Sequence, residues 1–163
     1  MSINRLIVAL ETQLSLLEEF NTLLSRETRE LAGINLDAMA EINSRKESMT
    51  ASIKTQSALL GNEIKEVASD EGLPPKTTLR ELAELYNKRG KRDVFRLQQD
   101  LVTVADRVRR SISINHEIAE RFAASVSSSL ELLTRVINQS NTYGASGGYQ
   151  QRPTGAVIIN REA

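Results

Sequence analysis

His116 is the single histidine of the chain, and Glu120 follows it by four residues with Glu117 beside it. On a helix, residues four apart share a face, so His116 and Glu120 offer two ligands of one metal site. Zinc needs three or four protein ligands, and no His-Glu-x-x-His pattern exists to supply them. A phosphorelay helix also presents a histidine, within His-x-x-Lys-Gly. Here the stretch reads His116-Glu117-Ile118-Ala119-Glu120, with an acid in place of the glycine and no lysine. His116 therefore reads as an ordinary surface or helix-pairing histidine.

Carboxylate pairs recur at Glu18-Glu19, Glu27-Glu30 and Glu63-Glu66. General acid–base chemistry needs two such groups in a desolvated cleft with their pKa values driven apart. Heptad helices are expected to put these on a solvated face. No Gly-x-Ser-x-Gly, Gly-x-x-x-x-Gly-Lys or Gly-x-Gly-x-x-Gly occurs, and Gly144-Ala145-Ser146-Gly147-Gly148 has no strand before it or helix after it to cradle a phosphate. The absence of Cys excludes disulfides, thiolate metal sites and Cys nucleophiles. The chain is expected not to be an enzyme, with no catalytic residues, no metal and no cofactor.

Residues 88 to 110 hold eight basic and three acidic side chains. Such a segment suits phosphate or an acidic protein face. Phe95 is its sole aromatic, no recognition-helix motif is present, and the formal net charge of the whole chain is zero. It reads first as a solvated face, then as a protein-docking patch, and nucleic acid is not expected.

The elements that must position these residues are helical. The 163 residues are 40% hydrophobic but only 4% aromatic, without Trp, a mix that disfavours sandwiches and barrels. Ile3, Ile7, Leu10, Leu14, Leu17, Leu24 and Leu31 step by threes and fours, with Asn21 and Thr28 in polar slots. Leu16, Phe20 and Leu23 widen that stripe beyond a coiled-coil seam. Gly33 ends the run, and Asn35 or Asp37 can cap the next. A second run passes Met39, Ile42, Met49, Ile53, Leu60, Ile64 and Val67, interrupted by Lys46 and by Gln56 or Ser57, with Gly61 inside it. Pro74-Pro75 breaks the chain, because proline denies amide donors. Thr78-Leu79-Arg80-Glu81 is a capping-box pattern that opens a third helix, whose apolar face is Leu79, Leu82, Leu85 and Tyr86.

From Asp93 the longest run follows: Leu97, Leu101, Val104, Val108, Ile112, Asn115, Ile118, Phe122, Val126, Ser129, Leu133 and Val136. Its helix is about 65 Å long at the standard rise, and it needs partner helices along its seam. Asn115 in that seam either fixes register or bonds a bound peptide. Ser125, Ser127, Ser128 and Ser129 leave either a close helix approach or a groove. The spacing predicts helices over 3–32, 36–68, 78–89 and 93–139. The fold expected is all-α: an elongated antiparallel helical bundle of three long helices and one short one over 1–139, with a flexible Gly/Ser/Gln-rich C-terminal tail over 140–163. No stretch reaches the roughly 20 apolar residues that span a bilayer, and Glu11 arrives too early for a signal peptide. A cytoplasmic protein without membrane insertion is expected.

The tail carries Tyr143, Tyr149 and Val157-Ile158-Ile159, apolar groups that either dock back or await a partner. Together with the helices it resembles the FlgN-type flagellar type III export chaperones. The shared features are the Leu-rich first helix around Leu14, Leu17 and Glu19; Lys46 after Leu36-Asp37; Asn115 in the long last helix; and Thr142-Tyr143-Gly144 with Gly147, before Ile159-Asn160-Arg161-Glu162-Ala163. The resemblance implies a cytoplasmic, non-enzymatic chaperone. It would bind C-terminal segments of hook–filament junction proteins (the flagellar hook-associated proteins) and deliver them to an export gate component. It implies cargo binding by Phe122, Val126, Leu130, Leu133, Val136 and Ile137, and gate docking by Tyr143. Two other readings stay open: a self-associating coiled-coil scaffold and a phosphotransfer-type signalling bundle. Monomer and homodimer both stay open.

Overall fold

A computed structural model of the chain describes residues 2–140. Among them are four α-helices and no strand: α1 (Ser2–Gly33), α2 (Leu36–Asp70), α3 (Leu79–Lys88) and α4 (Asp93–Ser140). The tail expected over 140–163 lies outside the described residues from position 141 on. The chain divides into two units, Met1–Glu120 and Arg121–Ala163, the second described as far as Ser140.

The helix starts follow from their side chains. Asn35 caps α2, its Oδ1 accepting from the Ala38 amide at 3.2 Å. Thr78 caps α3 with a complete capping box. Its Oγ1 accepts from the Glu81 amide at 3.3 Å, and its own amide donates to Glu81 Oε2 at 2.7 Å.

Three helix ends share one closing pattern. The amides of Ile34 and Asn35 donate to the carbonyls of Leu31 and Glu30. Gly72 and Leu73 repeat this with Ser69 and Ala68, and Gly90 and Lys91 with Asn87 and Tyr86. This is the Schellman arrangement, which sets the first residue of each pair in the left-handed region. Gly72 (φ 65°) and Gly90 (φ 80°) enter it freely. At the end of α1 the strained position is Ile34 (φ 53°), and Gly33 is the last helical residue. The glycine expected to close α1 stands one position too early, so a β-branched side chain takes the unfavourable conformation.

Within residues 1–120 the apolar rows meet in two adjoining cores. The first joins Leu6, Ala9 and Leu10 of α1 to Leu60 and Val67 of α2, Leu82, Ala83 and Tyr86 of α3, and Val94, Leu97 and Leu101 of α4. The second joins Phe20, Leu23 and Leu24 to Ile42, Val104 and Val108. The polar residues that interrupt the α2 row are paired across to α1. Gln56 donates to the Ala9 carbonyl at 3.1 Å, and Ser57 accepts from Gln13 at 3.1 Å. Arg5 pairs with Glu63 and Glu66, and Arg26 with Glu41 at 2.9 Å. These pairs descend α2 as they ascend α1, so the two helices are antiparallel. Ser111 donates to Asn21 at 3.1 Å and Asn115 reaches Leu24, so α4 runs parallel to α1. Ile112, expected in the buried row, is exposed; half-buried Ser111, on the side that meets α1, occupies that level.

The short helix α3 is held by a polar anchor. Tyr86 Oη donates to Glu71 Oε1 at 2.7 Å, and Arg89 Nη1 lies 2.5 Å from Glu71 Oε2. Burial and the Glu71 carboxylate push the Tyr86 hydroxyl up to about 12. The Tyr86 hydroxyl and the Arg89 guanidinium hold Glu71 below the usual carboxylate range.

Candidate functional site

Asn115 is the last buried residue of α4 among those described. It is only 4% exposed, and an amide there must satisfy both its donor and its acceptor sides. Nδ2 donates to the Leu24 carbonyl at 2.9 Å and to Glu27 Oε2 at 2.8 Å. Oδ1 accepts from Thr28 Oγ1 at 2.5 Å. Glu27 is 6% exposed, and its other oxygen takes Lys46 Nζ at 2.7 Å. The polar slot Thr28, the α2 interruption Lys46 and the α4 seam residue Asn115 thus belong to one network linking three helices, while the slot Asn21 makes a separate bond to Ser111. Of the two roles left open for Asn115, its hydrogen bonds within the chain support register. Glu27 corrects the expectation of a solvated carboxylate. It lies three and four residues beyond Leu24 and Leu23, on the buried face, and is tolerated because a cation and an amide both meet it.

The six residues assigned to cargo are all exposed: Phe122, Val126, Leu130, Leu133, Val136 and Ile137, at 40 to 55%. They lie on α4 within residues 121–140 and step by four, four, three, three and one. Leu132, absent from the sequence assignment, is 60% exposed; its neighbours Leu130 and Leu133 were the signal for it. Every described side chain from Ala119 to Asn138 is exposed. Ser125 to Ser129 lie among them, and the Ser129 hydroxyl donates back to the Ser125 carbonyl. An array of large apolar side chains at helical spacing, open to solvent, is the chemistry of an amphipathic helix that binds another helix or an extended apolar segment. Tyr143, the expected gate-docking residue, lies outside the described residues.

His116 Nε2 and Glu120 Oε1 are 3.1 Å apart with both side chains well exposed. Among the described residues no group of three or more His, Asp or Glu side chains converges to hold a metal ion. No described helix is long and apolar enough to cross a membrane.

Four helices, buried polar pins and an open apolar helix face among the described residues define an all-helical protein. The family model described as "FlgN protein" matches residues 1–151. The chain belongs to that family, the flagellar export chaperones, which is not an enzyme family. No curated protein matches it. No solved structure matches it.

Proposed function

We propose that the chain is a cytoplasmic chaperone that binds C-terminal segments of hook–filament junction proteins and brings them to a flagellar export gate component. Residues 1–120 form the helical bundle in this reading, and the face of Phe122, Val126, Leu130, Leu133, Val136 and Ile137 receives the cargo. Tyr143 docks the loaded complex at the gate. The observation that carries it is the family match together with the uncovered apolar residues of α4.

The physical logic is substitution of one helix partner for another. A junction-protein segment that pairs within the filament bares an apolar stripe until assembly. Each Leu or Ile buried against it contributes about 1.5–3 kcal/mol before ordering costs. A handful of such residues suffices for micromolar to nanomolar affinity, with no nucleotide required.

The test is titration calorimetry of the chain against C-terminal fragments of candidate junction proteins. One-to-one binding is expected. The double substitution Leu133→Asp with Val136→Asp is expected to weaken it at least a hundredfold while helicity by circular dichroism persists. Unchanged affinity removes the assigned face. Light scattering addresses the scaffold reading, since the same apolar face also suits self-pairing: a large oligomer that cargo fails to dissolve favours the scaffold.

A further inference from the structure

A second surface lies at the α3–α4 turn, on side chains that the cargo reading does not use. Lys88, Arg89, Lys91, Arg92 and Arg96 are all exposed within nine residues, with Asp93 the single acid among them. The chain as a whole is neutral, so this concentration is a local asymmetry. Arg96 reaches Asp93 at 3.8 Å and Arg89 is taken by Glu71, whereas Lys88, Lys91 and Arg92 make no ion pair among the described residues. Two of the cations are held in place. The Arg89 guanidinium lies 6.0 Å, and the Lys91 ammonium 5.8 Å, from the centre of the buried Tyr86 ring. The turn itself is fixed by Gly90 in the left-handed region and by the Lys91 amide on the Tyr86 carbonyl at 2.9 Å.

A cleft of mixed polar and apolar lining adjoins this charge. Ile3, Asn4 and Ile7 of α1 and Asp93 and Val94 of α4 line it together with Lys91 and Arg92. Arg92 also borders a second hollow beside Phe95 and Arg96. Lys91, held against Tyr86, and Arg92 beside the isoleucines of this cleft, with Lys88 at the same turn, suit a partner with carboxylates flanking an apolar side chain. Nucleic acid fits less well, because Phe95 is the one aromatic available for stacking and the cations cluster at a turn rather than along a row.

We propose that the turn bearing Lys88, Lys91 and Arg92, with the Ile3–Ile7–Val94 cleft, is a docking surface for an acidic, apolar-bearing segment of a second protein partner. None of the residues assigned to cargo takes part in it.

The test uses the full chain and a fluorescein-labelled peptide, Glu-Glu-Glu-Leu-Phe-Glu-Glu-Glu, followed by fluorescence anisotropy at about 50 mM salt, where surface charge is weakly screened. Saturable binding is expected. The variant Lys91→Glu with Arg92→Glu is expected to weaken it at least tenfold. A control of equal charge change on α2, Lys54→Glu with Lys65→Glu, is expected to leave it within twofold, both variants keeping wild-type circular dichroism. An all-glutamate peptide of the same length is expected to bind at least fivefold more weakly. Absence of saturable binding overturns the proposal, as does equal weakening by the α2 control. Equal affinity for the all-glutamate peptide removes the cleft. Tighter binding of a twelve-nucleotide oligothymidylate reassigns the surface to nucleic acid.

Discussion

At the scale of single residues, the buried polar side chains each bond at least one neighbour, although Gln13 Oε1 is left without one, and one backbone is strained. Lys46 is the cation that makes burial of Glu27 tolerable. Lys46→Met is expected to lower unfolding free energy by about 2 kcal/mol, less than for a fully dry pair because water reaches the lysine. Asn115→Ala is expected to cost about 1–3 kcal/mol by stranding Glu27 Oε2, while the Thr28 hydroxyl keeps the Leu24 carbonyl. Urea denaturation of both variants and of the double mutant checks this, and less-than-additive loss is expected because the groups share one network. Ile34→Gly is expected to act oppositely, raising stability by about 1 kcal/mol through relief of the left-handed isoleucine. A lower urea midpoint for that variant contradicts the strain account. Asn115 and Lys46 were legible in the sequence as breaks in apolar rows, because a polar residue at a core position is conspicuous. Glu27 was not, since its type and its Glu30 neighbour look like a solvated face, and only the geometry of the three helices reveals its partners. Ile34 was missed because Gly33 stands beside it and the glycine rule points one residue early.

At the scale of elements, spacing and punctuation placed all four helices within two residues of their observed ends. Apolar periods of three and four repeat over enough turns to be unmistakable, and the capping box of Thr78 and Glu81 is local in sequence. Which face of α4 is covered at each level was less legible, as Ile112 shows, since exposure depends on neighbours that spacing does not name. Gly61 lies inside α2, where an added Cβ meets nothing within 4 Å. Gly61→Ala is expected to add about 1 kcal/mol of stability, read as a higher thermal midpoint. The anchor between α2 and α3 gives two pH arms. Glu71 has a depressed folded pKa, so its contribution is present above its unfolded value near 4.3 and is lost as pH falls through the folded one. Tyr86 has a raised folded pKa, so its contribution is complete below about 10, the unfolded value, and is lost as pH rises toward about 12. Urea midpoints across pH are expected to show the alkaline loss shrinking in Tyr86→Phe and the acid loss shrinking in Glu71→Gln.

At the scale of the whole molecule, the buried residues among those described are confined to positions up to Asn115, and the described side chains from Ala119 on are all exposed. An isolated helix of about twenty residues is marginal in water. Its amides are therefore expected to exchange hydrogen rapidly in the free protein, and at least tenfold more slowly when a junction-protein segment is bound. Exchange read by mass spectrometry over residues 121–138 checks this, and equal rates with and without saturating cargo remove that stretch from the binding site. The candidate face was legible in the sequence only as apolar residues continuing a helical row. Sequence alone does not separate a row that faces its own chain from one left bare, because the two have the same composition.

The amide at position 115 has a further consequence. If the last helix slipped along the first by one turn, Ser111 or Ile118 would arrive opposite Glu27, and a carboxylate shut away from water would lose the amide that now meets it. Sliding between these two rods is thereby opposed at its first step, because the bonds that Asn115 makes at this level must break before any new ones form.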